Sequence, residues 1–169
     1  MIETQASISK WATDTFGESG TLFRIATRAN EEMAEAMRAS ATDGDIGEIT
    51  VEIADVMIVL CRLGEQLNQD LSISEQEKVS FDPSEDIWSA VAVANRDMSK
   101  LCLSIAQGQR DRAKAELVYC WLKLKAIIRF AGGIPQEVID AKMAINRGRI
   151  WHKDGTGHGY HIRASEVTQ

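Results

Sequence analysis

Apolar residues recur every three or four positions through most of this chain, while alternating strand-like runs are nearly absent. The pattern predicts a first helix over residues 2–14, ending near Phe16-Gly17, and a second over 22–41, broken by Thr42-Asp43-Gly44-Asp45. A third is predicted over 46–68, with Ile49, Ile53, Val56, Leu60, Leu63 and Leu67 at helical spacing. The polar stretch 69–80 reads as a connector. Asp82-Pro83-Ser84-Glu85 then reads as a helix start, with Asp82 as N-cap, Pro83 at the first position and Glu85 closing a capping box. That fourth helix continues to about Gln107, before Gly108. A fifth covers 110–130 and stops at Gly132-Gly133, and Pro135 opens a sixth that continues to about Trp151. The glycine-rich tail HKDGTGHGYHIR is no regular helix. The expected fold is all-α, a bundle of five or six helices.

Two acidic motifs interrupt this regularity. Glu32-Met33-Ala34-Glu35 lies on the second predicted helix and Glu52-Ile53-Ala54-Asp55 on the third. Residues three apart share a helix face, so each motif presents two carboxylates together. Asp55 runs straight into Val56-Met57-Ile58-Val59-Leu60, with no basic residue close in sequence. An ionised carboxylate near a packed interior needs something positive facing it. Four carboxylates from two helices suit a hard divalent cation, Mg²⁺ or Mn²⁺, with two or more ions per site. Read alone, NEEMAE would pass for a solvated helix face, but Asp55 does not.

The two halves also resemble each other. The segment Ala29-Asn30-Glu31-Glu32-Met33-Ala34-Glu35 aligns with Ala94-Asn95-Arg96-Asp97-Met98-Ser99-Lys100, and Glu116 lies 19 residues beyond Asp97 much as Glu52 lies 20 beyond Glu32. Tyr119 and Lys100 then stand where Asp55 and Glu35 stand. The expected organisation is one domain over 1–169, with a metal-binding half (1–68), a degenerate second half (82–131) and a C-terminal helix and tail (135–169).

Composition narrows the function. The net charge of −6 argues against a nucleic-acid polymer as partner, though a free nucleotide can still bind where metal ions offset both sets of negative charge. Cys61, Cys102 and Cys120 are an odd, widely spaced set in apolar segments, read as free thiols of a reducing cytoplasm. No basic-then-apolar leader opens the sequence and no apolar run approaches a membrane span, so no membrane partner is expected. His152, His158 and His161 lack the fourth ligand of a closed zinc site. GTGHG lacks the lysine of a phosphate-binding P-loop.

The order EExxE, spacer, ExxD resembles the MazG-like all-α nucleoside triphosphate pyrophosphohydrolases, a superfamily that includes dimeric dUTPases and phosphoribosyl-ATP pyrophosphohydrolases. The matching residues are Glu31, Glu32 and Glu35, then Glu52 and Asp55. Lys142-x-x-x-Asn146-x-x-Arg149 is similar to the family's phosphate-contacting helix face. Trp11 with Thr15-Phe16-Gly17, and the closing RIWHKDGTGHGYHI, are similar to the ends of short phage-type members. The carboxylate set is the specific part. The resemblance implies hydrolysis between the α and β phosphates, with Glu32, Glu35, Glu52 and Asp55 as metal ligands and Glu35, then Glu31, as the general base. Lys142, Asn146 and Arg149 would contact phosphate or sugar, and Trp11 and Phe16 the base. It further implies a purine deoxynucleotide (dGTP or dATP) ahead of dUTP, a tail that closes over the nucleotide, and a homodimer or homotetramer.

Each of these residues has a plainer role open to it. Lys142 and Arg149 suit a helix C-terminus, Trp11 and Phe16 suit a core, and Asn30 suits a surface. Three rival functions stand beside the first: a dUTPase-type pyrophosphatase, a ferritin-like di-iron protein, and a non-catalytic helical adaptor. The di-iron reading lacks the Glu-x-x-His motifs it needs.

Overall fold

Thr4 opens the first helix: its hydroxyl accepts from the Ser7 N–H while the Ser7 hydroxyl accepts from the Thr4 N–H. In the computed structural model, which describes residues 2–18, 20–41, 45–72, 86–153, 155, 157 and 159–161, helix α1 spans Gln5–Phe16. It ends at Gly17, whose φ of 85° falls in the region glycine tolerates best. Helix α2 spans Leu22–Ala41. Helix α3 spans Ile46–Leu67, capped by the Asp45 carboxylate and closed by Asn68 in the left-handed conformation. Helices α4 (Ile87–Ala106), α5 (Arg110–Phe130) and α6 (Pro135–Gly148) complete an all-α bundle of six helices among the described residues.

Helix α1 starts at Gln5 rather than at residue 2, and two later boundaries also differ from the sequence reading. Asp86 is not helical, and its carboxylate accepts from the Ser89 N–H at 2.7 Å, so α4 starts there. The expected cap at Asp82 lies outside the described residues. Helix α6 stops at Gly148, because Arg149 turns extended (φ −81°, ψ 152°), and Trp151 instead enters a short strand. That strand, β1 (Trp151–Lys153), pairs antiparallel with β2 (Gly159–His161). Gly159 is required in this hairpin: a Cβ there would collide with the His152 carbonyl and press on the Phe16 ring.

Helix α3 is the hub of the bundle, packed against α1, α2, α5 and α6. Ile49, Ile53, Val56, Leu60, Leu63 and Leu67, the stripe read from the sequence, are all fully buried. They pack with Ile25, Ala29 and Met33 of α2 and Leu117, Leu124 and Ile127 of α5. Helix α6 is fixed to the start of α1 by Glu3, which is buried and accepts from Arg147 at 2.8 and 2.9 Å. The Glu3 N–H also donates to Asp140 at 2.8 Å. These ties set the position of α6 against α3, and with it Lys142 and Asn146. The three cysteines are free; Cys61 and Cys120 are buried and Cys102 half-buried. Among the described residues, no helix is long and apolar enough to cross a membrane.

Candidate metal centre

Glu32 of α2 meets Glu52 and Asp55 of α3, with one carboxylate oxygen of each within 4.8 Å of the other two. The apolar stripes that pair α2 with α3 force this convergence. Met33 and Ala36 turn inward on one helix, Ile53 and Val56 on the other, so the acidic positions beside them face across the same seam. Glu32 is buried, while Glu52 and Asp55 are half-buried. Glu35 does not join the group. It sits exposed, though its charge reaches both Glu32 and Glu52. Glu31 is exposed and accepts from Arg28 at 3.0 Å.

Two cations already balance part of this charge. Arg28 pairs with Glu32 from one turn earlier on α2. Lys142 reaches from α6 to Asp55 at 2.6 Å, where the two side chains are 8% and 17% exposed. The positive partner that Asp55 requires is thus 87 positions away in the chain, out of reach of any local sequence pattern. Burial pushes the Glu32 carboxyl up; Arg28 opposes it but loses, because Asp55, Glu35 and Glu52 all add to the rise, and the value settles at about 7. Burial and the Asp55 charge likewise raise Glu52, against the pull of Lys142. Three carboxylates facing two cations leave net negative charge in a poorly solvated seam. Such a site prefers either a proton or a cation. All its donors are oxygens, the donor type that hard cations take, so Glu32, Glu52 and Asp55 could hold a metal ion.

A pocket adjoins the carboxylates, lined by Glu32, Asp55, Arg28, Asn146 and Arg62 on its polar side and by Trp11, Phe16, Ile58, Val59 and Trp151 on its apolar side. Trp11, Phe16 and Trp151 pack edge to face, with ring centroids 5.1–6.0 Å apart. The Trp151 indole donates to the Asn146 carbonyl at 2.9 Å, fixing the tail hairpin against α6. Arg149 has left the helix face on which it was expected. It nonetheless stays beside Asn146, donating to its side-chain oxygen at 3.2 Å, with the guanidinium 6.0 Å from the centre of the Trp151 ring.

Of the sequence-derived residues, Glu32, Glu52, Asp55, Lys142, Asn146, Trp11 and Phe16 come together in one place. Arg28, Arg62 and Trp151 were missed. Arg28 and Arg62 were legible in principle, four residues before Glu32 and seven after Asp55 on their helices. Trp151 was not, because its placement depends on the tail folding back.

The second half answers its acidic residue differently. Asp97 is buried and bonded to Lys100 at 2.8 Å and to Lys123 at 3.0 Å. Burial alone would raise its carboxyl, but the two lysine hydrogen bonds outweigh that and hold it below the usual range. Glu116 bonds Ser104 at 2.6 Å and Arg112 at 2.9 Å. Protein cations and a hydroxyl therefore satisfy these carboxylates.

Comparison with protein-family models, with curated proteins and with solved structures gives no match for this chain.

Proposed function

We propose that this protein hydrolyses a nucleoside triphosphate to the monophosphate and pyrophosphate, with Mg²⁺ or Mn²⁺ held by Glu32, Glu52 and Asp55. The observation that carries this reading is the three-carboxylate group on two helices, opening directly onto an aromatic-lined pocket. It agrees with the resemblance of the EExxE and ExxD motifs to the MazG-like pyrophosphohydrolases. A divalent ion in this seam would offset phosphate charge and acidify a nearby water. Glu35 is suited to take the proton of that water: it is exposed beside the group and free of ion pairs among the described residues. Glu31 is less suited, being engaged by Arg28.

Lys142 holds Asp55 in place and supplies positive charge where the phosphates would lie. Asn146 accepts from Arg149 through its side-chain oxygen, which leaves its amide N–H groups for a phosphate or sugar oxygen. The base belongs among Trp11, Phe16 and Trp151. The pocket they share with the charged residues holds only about 70 Å³, against the roughly 300–1,000 Å³ of ordinary small-molecule sites. Binding of a base therefore requires the lining side chains to shift outward. A purine deoxynucleotide is favoured over dUTP.

The deciding experiment incubates the protein with a panel of deoxy- and ribonucleoside triphosphates and Mg²⁺ or Mn²⁺. Pyrophosphate release in step with monophosphate is expected. Absence of release with every nucleotide would replace this reading with that of a non-catalytic helical adaptor.

A further inference from the structure

Helix α3 carries Glu52, Asp55, Val59 and Arg62 at steps of three, four and three, which puts them on one stripe. Asp55 and Arg62 are thus about 10 Å apart along the axis, from seven residues at roughly 1.5 Å each. Asp55, Val59 and Arg62 all line the pocket, and their order along the helix puts Val59 between the acidic group and Arg62. A nucleotide whose phosphates lie at the acidic end would place its base at the Arg62 end.

Arg62 is only 5% exposed. Its Nη1 donates to the carbonyl of Gly157 in the tail and its Nη2 to the carbonyl of Gly17 at the end of α1, both at 2.5 Å. One N–H on each terminal nitrogen is thus given to backbone, which fixes the plane of the guanidinium. Its Nε is buried without an acceptor among the described residues. Buried donors are almost always matched in folded proteins, and an unmatched one on a charged group is costly. A clamp between two loops accounts for two nitrogens and leaves the third unexplained.

We propose that Arg62 reads the nucleobase, its Nε–H donating to an exocyclic carbonyl oxygen, so that bases carrying a carbonyl are selected and adenine is rejected. This rests on the nucleotide reading above and sharpens it, placing dGTP ahead of dATP. Arginine matches the O6 edge of guanine, whereas adenine turns an amino donor toward the same place, and donor then faces donor. Val59 and the aromatic rings supply contact that does not distinguish bases. Discrimination between the two purines therefore falls to the fixed Arg62 donor.

The test compares dITP with dATP, two purines that differ at position 6, where one has a carbonyl and the other an amino group. For the wild-type protein with Mg²⁺ or Mn²⁺, kcat/KM for dITP is expected to exceed that for dATP by at least ~10-fold, the scale of one charge-assisted hydrogen bond. In Arg62→Met the ratio should fall to within roughly 3-fold, a change that a purely structural clamp would not produce. Equal use of dITP and dATP by the wild type overturns the assignment while leaving the pyrophosphohydrolase reading intact. So does an unchanged ratio in a folded Arg62→Met protein. Should that variant fail to fold, the wild-type comparison alone decides. If neither nucleotide is bound or hydrolysed with either metal, both readings fall together.

Discussion

Replacing Glu32 with Gln tests the electrostatics of the three-carboxylate group without any substrate. The folded state holds the Glu32 carboxyl at about 7, above its ordinary 4.5. A raised acid binds its proton more tightly folded than unfolded, so stability falls as pH rises from about 4.5 through about 7, and the full penalty is present above that. The rise from 4.5 to about 7 corresponds to about 3 kcal/mol. The opposing attraction of Arg28 is already contained in the net value. For a chain of this size that is a melting shift of roughly 6–12 °C. Glutamine mimics the protonated carboxyl, so in the presence of a chelator the variant should match the wild type near pH 4 and melt several degrees higher at pH 8. The difference between the two proteins isolates Glu32 from Glu52, which is also raised. Adding Mg²⁺ or Mn²⁺ at pH 8 should reverse the order, since an ion bound only by the folded wild type stabilises it by mass action. Calorimetric scans from pH 4 to 8, with and without metal, measure all of this. A chelated Glu32→Gln protein that melts lower than wild type at pH 8 would refute the reasoning, because Glu32 would then be an ionised, net-stabilising partner of Arg28.

Asp55→Asn should abolish metal-dependent pyrophosphate release while the helical circular dichroism spectrum stays unchanged; near-normal turnover would remove Asp55 from the centre. Lys142→Ala should lower kcat/KM by roughly 10- to 1000-fold, the range for losing one charge-stabilising contact, as read in steady-state assays on a triphosphate. Gly159→Ala should break the closure of the tail hairpin over Phe16. Tryptophan fluorescence should show Trp151 moving into water, while the unfolding free energy of the bundle in urea stays within about 0.5 kcal/mol of wild type. A homo-oligomer, dimer rather than tetramer, is expected, and light scattering should give a multiple of 18.7 kDa.

The sequence by itself determined the helices and their buried faces. The 3.6-residue period fixes which side of α3 is apolar, and Ile49, Ile53, Val56, Leu60, Leu63 and Leu67 are buried as that period requires. It also determined that Glu52 and Asp55 share a face, since spacing of three is a local property of any helix. Local signals failed at helix ends. Asp82-Pro83 reads as the start of the fourth helix, whereas Asp86 is extended and caps α4. Lys142 through Arg149 could run as one helix until Gly148 and an extended Arg149 end it. What only the tertiary structure decided is who faces whom. Lys142 meets Asp55 across 87 residues because Glu3 and Arg147 seat α6 against the bundle. Glu35 falls outside the carboxylate group although it shares a motif with Glu32, because only part of a helix face lies in the seam. The pKa of Glu32, the aromatic trio and the clamp of Arg62 on Gly17 and Gly157 have the same origin. Each depends on burial and on contacts between distant segments, and a one-dimensional pattern specifies neither.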